Sequence, residues 1–132
     1  MRTLFITLLS LLLLSSVASH AQTPLSCNDS IDQAIKEGDL KTLSDFFDDR
    51  VKLSLPGTEG YHSNQQASIL LSKFFQEYPP TDFTISNIGT ARGNTSYCIC
   101  EYTSNTTIFR TYYLYEIRNG ECILIQIMFN KR

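Results

Sequence analysis

Histidine is scarce in this chain, with two residues in 132. One of them, His20, falls in a stretch with the pattern of a leader. His62 alone cannot build a multi-histidine metal site, and Cys98-x-Cys100 lacks the two-residue spacing of a zinc pair. A Cys–His nucleophile would need Cys98 or Cys100 beside His62, and no spacing joins them. Just ahead of a helix-capping serine, His62 reads as a solvated loop residue. Basic clusters are missing too. Eleven Lys and Arg face thirteen Asp and Glu, for a net charge of −2. That balance argues against nucleic acid and against anionic membrane as partners. No repeat, low-complexity run or linker divides the chain, and no metal or cofactor is implied.

What is present begins with a targeting pattern. Arg2 is followed by an apolar run from Leu4 to Leu14, broken only by Thr7 and Ser10. Ser19-His20-Ala21 fits a small-x-small cleavage rule, which would make Gln22 the first mature residue. A membrane span needs about 20 apolar residues, so the run is short for an anchor, although an uncleaved anchor is the alternative. The expected organisation is a signal peptide over 1–21, a leader over 22–27 and one domain over 28–130. The expected compartment is the periplasm or the outside, with no membrane attachment after cleavage. Loss of Arg2 makes the net charge one unit more negative.

Four cysteines in an exported chain suggest disulfides. Cys98 and Cys100 stand two apart on one strand and are poorly placed to bond each other. Cys122 pairs near Ile117, far from the row holding Cys98. A bridge would therefore join Cys27 to one of the others. The alternative is four small buried thiols.

The last fifty residues carry four apolar runs rich in Val, Ile, Thr, Tyr and Phe, over 82–91, 95–103, 107–118 and 121–130. Turn residues separate them, and Asn119-Gly120 is a hairpin signal of type I′. Upstream, Ser30 with Gln33 has capping-box spacing before Ile31, Ala34 and Ile35. Asp39 caps a second helix whose stripe is Leu40, Leu43, Phe46 and Phe47. Val51, Leu53 and Leu55 alternate as a short strand. Residues 58–62 read as a loop. Ser63 caps the best-marked helix, Asn64 to Glu77, with Ala67, Leu70, Leu71, Phe74, Phe75 and Tyr78 on its apolar side. Pro79-Pro80 ends it. This order gives an α+β fold in which N-terminal helices pack in a curved antiparallel sheet of four to five strands. Such a cone often keeps a cavity at its wide end.

Register then assigns faces. Strict pairing from Asn119-Gly120 sets Glu116, Leu114, Tyr112 and Arg110 opposite Ile123, Ile125, Ile127 and Phe129. A three-residue loop over 104–106 adds Cys98 opposite Tyr112 and Cys100 opposite Arg110. That face is apolar and holds Arg110, whose charge would need a partner there. The partner is either an ion-pairing side chain or the carboxylate or phosphate of a ligand. The candidate ligand-binding residues are accordingly Arg110, Tyr112, Cys100 and Tyr61. The opposite face carries Tyr97, Phe109, Tyr113 and Tyr115, an aromatic patch expected to be covered by a second copy of the chain or to stay wet. A one-residue slip would exchange these faces.

The chain resembles a known family at Ala34-Ile35-x-x-Gly38-Asp39, Tyr61-x-x-x-Gln65-x-Ala67, Phe74-Phe75-x-x-x-Pro79-Pro80, Phe109-Arg110 and Ile125-Gln126-Ile127. These residues are similar to the family catalogued as domain of unknown function 4783, within the nuclear-transport-factor-2-like (cystatin-like cone) superfamily. The resemblance covers residues 28–130 and implies fold and compartment, and no activity. It also implies that outer faces can pair into homodimers. Superfamily enzymes commonly use an Asp/His or Tyr/Asp pair inside the cone; the sequence places no such pair here. The expectation is a non-catalytic exported domain that binds a small molecule or peptide in its cone. A small isomerase, dehydratase or hydrolase, and a structural dimer-forming envelope protein, are the alternatives.

Overall fold

The computed structural model describes residues 26–132, so the expected signal peptide over 1–21 lies outside the described residues, as does all of the expected leader but Ser26 and Cys27. Three helices come first or early: α1 (Cys27–Glu37), α2 (Leu40–Asp45) and α3 (Asn64–Glu77). Six strands make one sheet: β1 (Phe47–Leu55), β2 (Thr58–Ser63), β3 (Asp82–Thr90), β4 (Thr95–Ser104), β5 (Thr107–Arg118) and β6 (Glu121–Lys131). The sheet order is β2-β1-β6-β5-β4-β3, open at both edges. Among the described residues no helix is long and apolar enough to cross a membrane.

The sheet is larger than the sequence suggests, with six strands rather than four to five, and it is mixed. β1 runs parallel to β6 and antiparallel to β2. Residues 58–62 pair with β1 instead of looping, because Gly57 at φ 81° turns the chain straight back. Phe47 begins β1 and does not end α2. The cap of α1 is Ser26, whose Oγ accepts from the Asp29 amide at 3.3 Å, and not Ser30. The Asp39 and Ser63 caps are where the sequence places them.

The register of the long hairpins corrects the face assignment twice. The β4–β5 connection is a two-residue turn at Asn105-Thr106, so Cys98 faces Tyr113 and Cys100 faces Thr111. Asn105 takes the positive φ, 54°, that this tight turn requires. From Asn119-Gly120 the β5–β6 pairing holds as far as Tyr115 opposite Leu124. There a bulge intervenes, and Leu114 then pairs with Gln126 and Tyr113 with Ile127. Phe109, Thr111, Tyr113 and Tyr115 consequently face the helices together with Leu124, Ile127 and Phe129. Three of the four residues expected on a dimer face, Phe109, Tyr113 and Tyr115, are core residues; Tyr97 alone is outside. Arg110 is exposed on the outer face. The physical reason is cost: β5 turns its aromatic side inward and Arg110 and Glu116 out, and the bulge in β6 sets Ile127 and Phe129 on that inner face where strict pairing would set Gln126 and Met128.

Phe74 of α3 is the centre of the core. Its ring lies 4.5 Å from Phe129, 5.2 Å from Phe109 and 5.7 Å from Tyr102. Phe75 and Tyr78 flank it, and the Tyr102 hydroxyl donates to the Tyr78 carbonyl. This aromatic plug fills the hollow at the α3 end. At the other end, Cys27 and Cys122 form a disulfide with Cα atoms 5.6 Å apart. It ties the first turn of α1 to the tip of the β5–β6 hairpin. Cys98 and Cys100 remain free and buried.

The bridge closes a loop of 95 residues, for which chain entropy predicts about 4–5 kcal/mol of stabilisation. The double variant Cys27→Ser, Cys122→Ser should lose that much in urea unfolding. A loss of under about 1 kcal/mol would show that the core anchors α1 without the bridge.

Candidate functional site

The site is built on α1. Ile31, Ala34 and Ile35 follow helical spacing and are buried, and Asp32 lies beside them on the same buried face. Its residue exposure is 6%. A carboxylate carried inward by an apolar stripe must find hydrogen bonds or suffer its desolvation. One partner is found: Tyr113 Oη donates to Asp32 Oδ1 at 2.6 Å. The same hydroxyl sits 3.2 Å from the Asn28 carbonyl. Cys98 Sγ lies 3.9 Å from Oδ1, a weak contact. Among the described residues Asp32 Oδ2 and Thr111 Oγ1 are buried without a close hydrogen-bond partner, although the Asn28 side chain also bears on the Asp32 carboxylate. Asp32, Cys98, Cys100, Thr111 and Tyr113 thus form a polar floor under α1, at the end of the hollow that the aromatic plug does not reach.

A cleft of about 540 Å³ runs between α1 and β3 and has Asp32 in its wall. Asp29, Gln33, Lys36 and Glu37 line the helix side; Phe83, Thr84 and Ile85 line the strand side. Phe83, Ile85 and Ile88 pair with Tyr102, Cys100 and Cys98, so they belong to the sheet face turned toward the helices. Yet Ile85 and Ile88 are 41% and 46% exposed. Among the described residues no helix packs closely on that end of β3, and its apolar side chains are left as a partly uncovered wall.

Burial is the main influence on Asp32 and Tyr113. Desolvation raises Asp32 above the usual carboxylate value, against the lowering effect of the Tyr113 hydrogen bond. Desolvation, reinforced by the Asp32 charge, pushes the Tyr113 phenol far upward. Cys100 is also pushed far upward, first by its neighbour Cys98. Among the described residues no group of three or more His, Cys, Asp or Glu could hold a metal ion.

The residues singled out from sequence are scattered. Arg110 stands opposite Glu101 on the outer face, in a groove of about 220 Å³ shared with Arg132. Arg132 Nη1 bonds Glu101 Oε2 at 2.7 Å, and among the described residues Arg110 makes no ion pair. Tyr112 is half-buried on that outer face and stacks on Tyr97 with ring centroids 6.2 Å apart. Tyr61 is 62% exposed on β2, with Lys52 Nζ 5.9 Å from its ring centre. Only Cys100 lies inside, on the polar floor. His62 is on β2, and its Nε2 is buried without a partner. Asp32 and Tyr113 do meet; the sequence singles out Tyr113 for the dimer face alone and Asp32 not at all. The signal for Asp32 was its place within Ile31-Asp32-x-Ala34-Ile35, where an acid enters an apolar stripe. The signal for Tyr113 was hidden by the register.

A curved open sheet with helices packed on one face is an α+β fold of the NTF2-like kind. The chain belongs to the DUF4783 family, a domain of unknown function whose model matches residues 28–130. A DUF4783 family protein from Bacteroides uniformis superposes with a TM-score of 0.72 at 19% identity, over 79% of this chain and 95% of that one. The family protein from Bacteroides ovatus gives 0.71 at 22% identity, over 78% and 93%. An NTF-2 like protein of unknown function from Burkholderia xenovorans gives 0.59 at 21% identity, over 80% and 81%. No curated protein matches this chain.

Asp32 should leave a signature in stability against pH. Its folded-state value is raised from the usual 3.8, so its contribution is full below 3.8 and is lost as pH rises through the raised value. The groups facing it are Asp29 and Asn28 on α1, Cys98 on β4 and Tyr113 on β5. Asp32→Asn should match the parent in acid and gain on it toward neutrality, as read from urea midpoints between about pH 3 and 8. Parallel curves would contradict the assignment. Tyr113→Phe strips Oδ1 of its donor and should cost about 1–3 kcal/mol at neutral pH.

Proposed function

We propose that this is an exported binding module that takes a small molecule or the end of a peptide in the cleft between α1 and β3. The observation that supports this is Asp32, nine-tenths buried in the cleft wall, with one oxygen held by Tyr113 and the other unclaimed. A buried acid with no partner is a cost to the fold, and such costs gather at working sites. The rest of the cleft suits a ligand. It is concave, within the usual range of roughly 300–1,000 Å³ for such sites, and joins an apolar strand wall to a polar helix wall. Export is supported by the leader pattern over 1–21 and by the Cys27–Cys122 bridge, a bond that persists in oxidising compartments.

A catalytic reading has one observation behind it, the Asp32–Tyr113 pair. It is the weaker of the two. The phenol is fully buried and its single proton is committed to Asp32 at 2.6 Å. With its acidity suppressed further by burial, Tyr113 fixes the orientation of the carboxylate and is poorly placed to exchange a proton with a substrate.

Crystals soaked in several small organic solvents test the cleft. Probe molecules should collect between Asp32 and Ile85, and Ile85→Arg should clear them while leaving the fold intact. Probes that gather at the outer groove of Arg110 and Arg132, with the α1–β3 cleft taking none, would sink the proposal.

A further inference from the structure

The charge and shape of the cleft point to a ligand class. Three carboxylates, Asp29, Asp32 and Glu37, border it against one ammonium, Lys36. Surface acids alone would mean little. Asp32 differs from the others in being 6% exposed, with Oδ2 buried and without a partner. Its other oxygen already accepts from Tyr113, which fixes the rotamer and leaves Oδ2 as the oxygen without a close donor. The strand wall facing it is apolar: Phe83 is half-buried and Ile85 is 41% exposed.

We infer that the cleft takes a protonated amine carried on an apolar group, with the ammonium against Asp32 and the hydrocarbon along Phe83 and Ile85. This rests on the cleft being the binding site. Each part of the ligand answers one feature of the wall. An ammonium supplies both the missing hydrogen bond and a compensating charge, and a charge-assisted bond is about twice as strong as a neutral one. A hydroxyl supplies the bond and leaves the carboxylate uncompensated in a desolvated place. A carboxylate or phosphate would add like charge to an already acidic wall. The apolar part is needed because Ile85 stands in the cleft wall 41% exposed, and a bare ammonium would leave it in water. Lys36 sets the limit: a dication would meet it at the outer end of the helix, so a single charge fits best.

The test compares three probes with one hydrocarbon tail, n-hexylammonium, n-hexanol and n-hexanoate, titrated at pH 7 into the ¹⁵N-labelled protein. Hexylammonium should shift amides of α1 and β3 saturably, and bind about tenfold or more tightly than hexanol. Hexanoate should bind more weakly than either. In Asp32→Asn the preference for the amine should vanish while hexanol binding stays. The comparison on the parent protein stands even where that variant does not fold. Equal affinity for amine and alcohol, a preference for hexanoate, or an Asn variant that keeps the amine preference overturns the ligand class and leaves the cleft as the site. Shifts at α1 and β3 from none of the three overturn both.

Discussion

Between Leu114 and Tyr115 the last two strands fall out of step by one residue. Ile125 is the residue left over, and the face of the sheet turned toward the helices depends on it. Below the bulge, Tyr115 and Leu124 point inward. Above it, Ile127 and Phe129 do so as well, opposite Tyr113 and Thr111. Without the insertion, one of these two groups would face water. The bulge therefore lets Leu124 share a face with Ile127 and Phe129, which have the opposite parity along β6, and keeps Gln126 and Met128 off the inner face. A bulge also increases local twist, which suits a sheet that must curve around helices.

Two unlike fillings follow from that face. At the α3 end, six aromatic rings meet around Phe74, and packing of this kind is close to that of an organic crystal. At the α1 end the inward side chains are Cys98, Cys100, Thr111 and the hydroxyl of Tyr113. They are smaller or polar, and α1 answers them with Asp32. The Cys27–Cys122 bridge holds the start of α1 down at this end, and Gly38, with φ 64°, turns the chain at the other. A Cβ at Gly38 would come within 3.3 Å of Pro80, so the turn has little room for a side chain. The helix is pinned at both ends over a floor that does not satisfy it fully.

The architecture was legible in the sequence where local chemistry decides it. Asn119-Gly120 closes the hairpin it signals, Ser63 and Pro79-Pro80 bracket α3, and β5 runs from Thr107 to Arg118 as the apolar run does. The faces were not legible, because parity is set by a single inserted residue and by whether one turn has two residues or three. Neither Ile125 nor Ser104 carries a mark that distinguishes the cases. β2 was hidden for another reason. None of its side chains is fully buried, and its pairing with β1 comes from the Gly57 turn rather than from apolar pattern. The site was the least legible part. Arg110 and Tyr112 were placed inside by the same parity that hid Tyr113, and Asp32 looked like any other acid on a helix until its neighbours were known.

The position of Asp32 is more informative than its identity. An acid at the surface of α1 would cost nothing, and an asparagine at the same place would keep the Tyr113 hydrogen bond without a buried charge. The chain instead keeps a carboxylate where desolvation opposes it, beside a phenol that orients it and under an opening that β3 leaves uncovered. A structural role accounts for the oxygen that Tyr113 holds. It does not account for the one left free. Sites that bind are commonly strained in the free protein in this way, because the group that stabilises them is the ligand. The partly uncovered Ile85 of β3 belongs to the same argument, since it too stands on an inward face and in the cleft wall. An unpaired carboxylate oxygen and an uncovered apolar wall share one cleft, and a single molecule with a donor at one end and hydrocarbon at the other would relieve both.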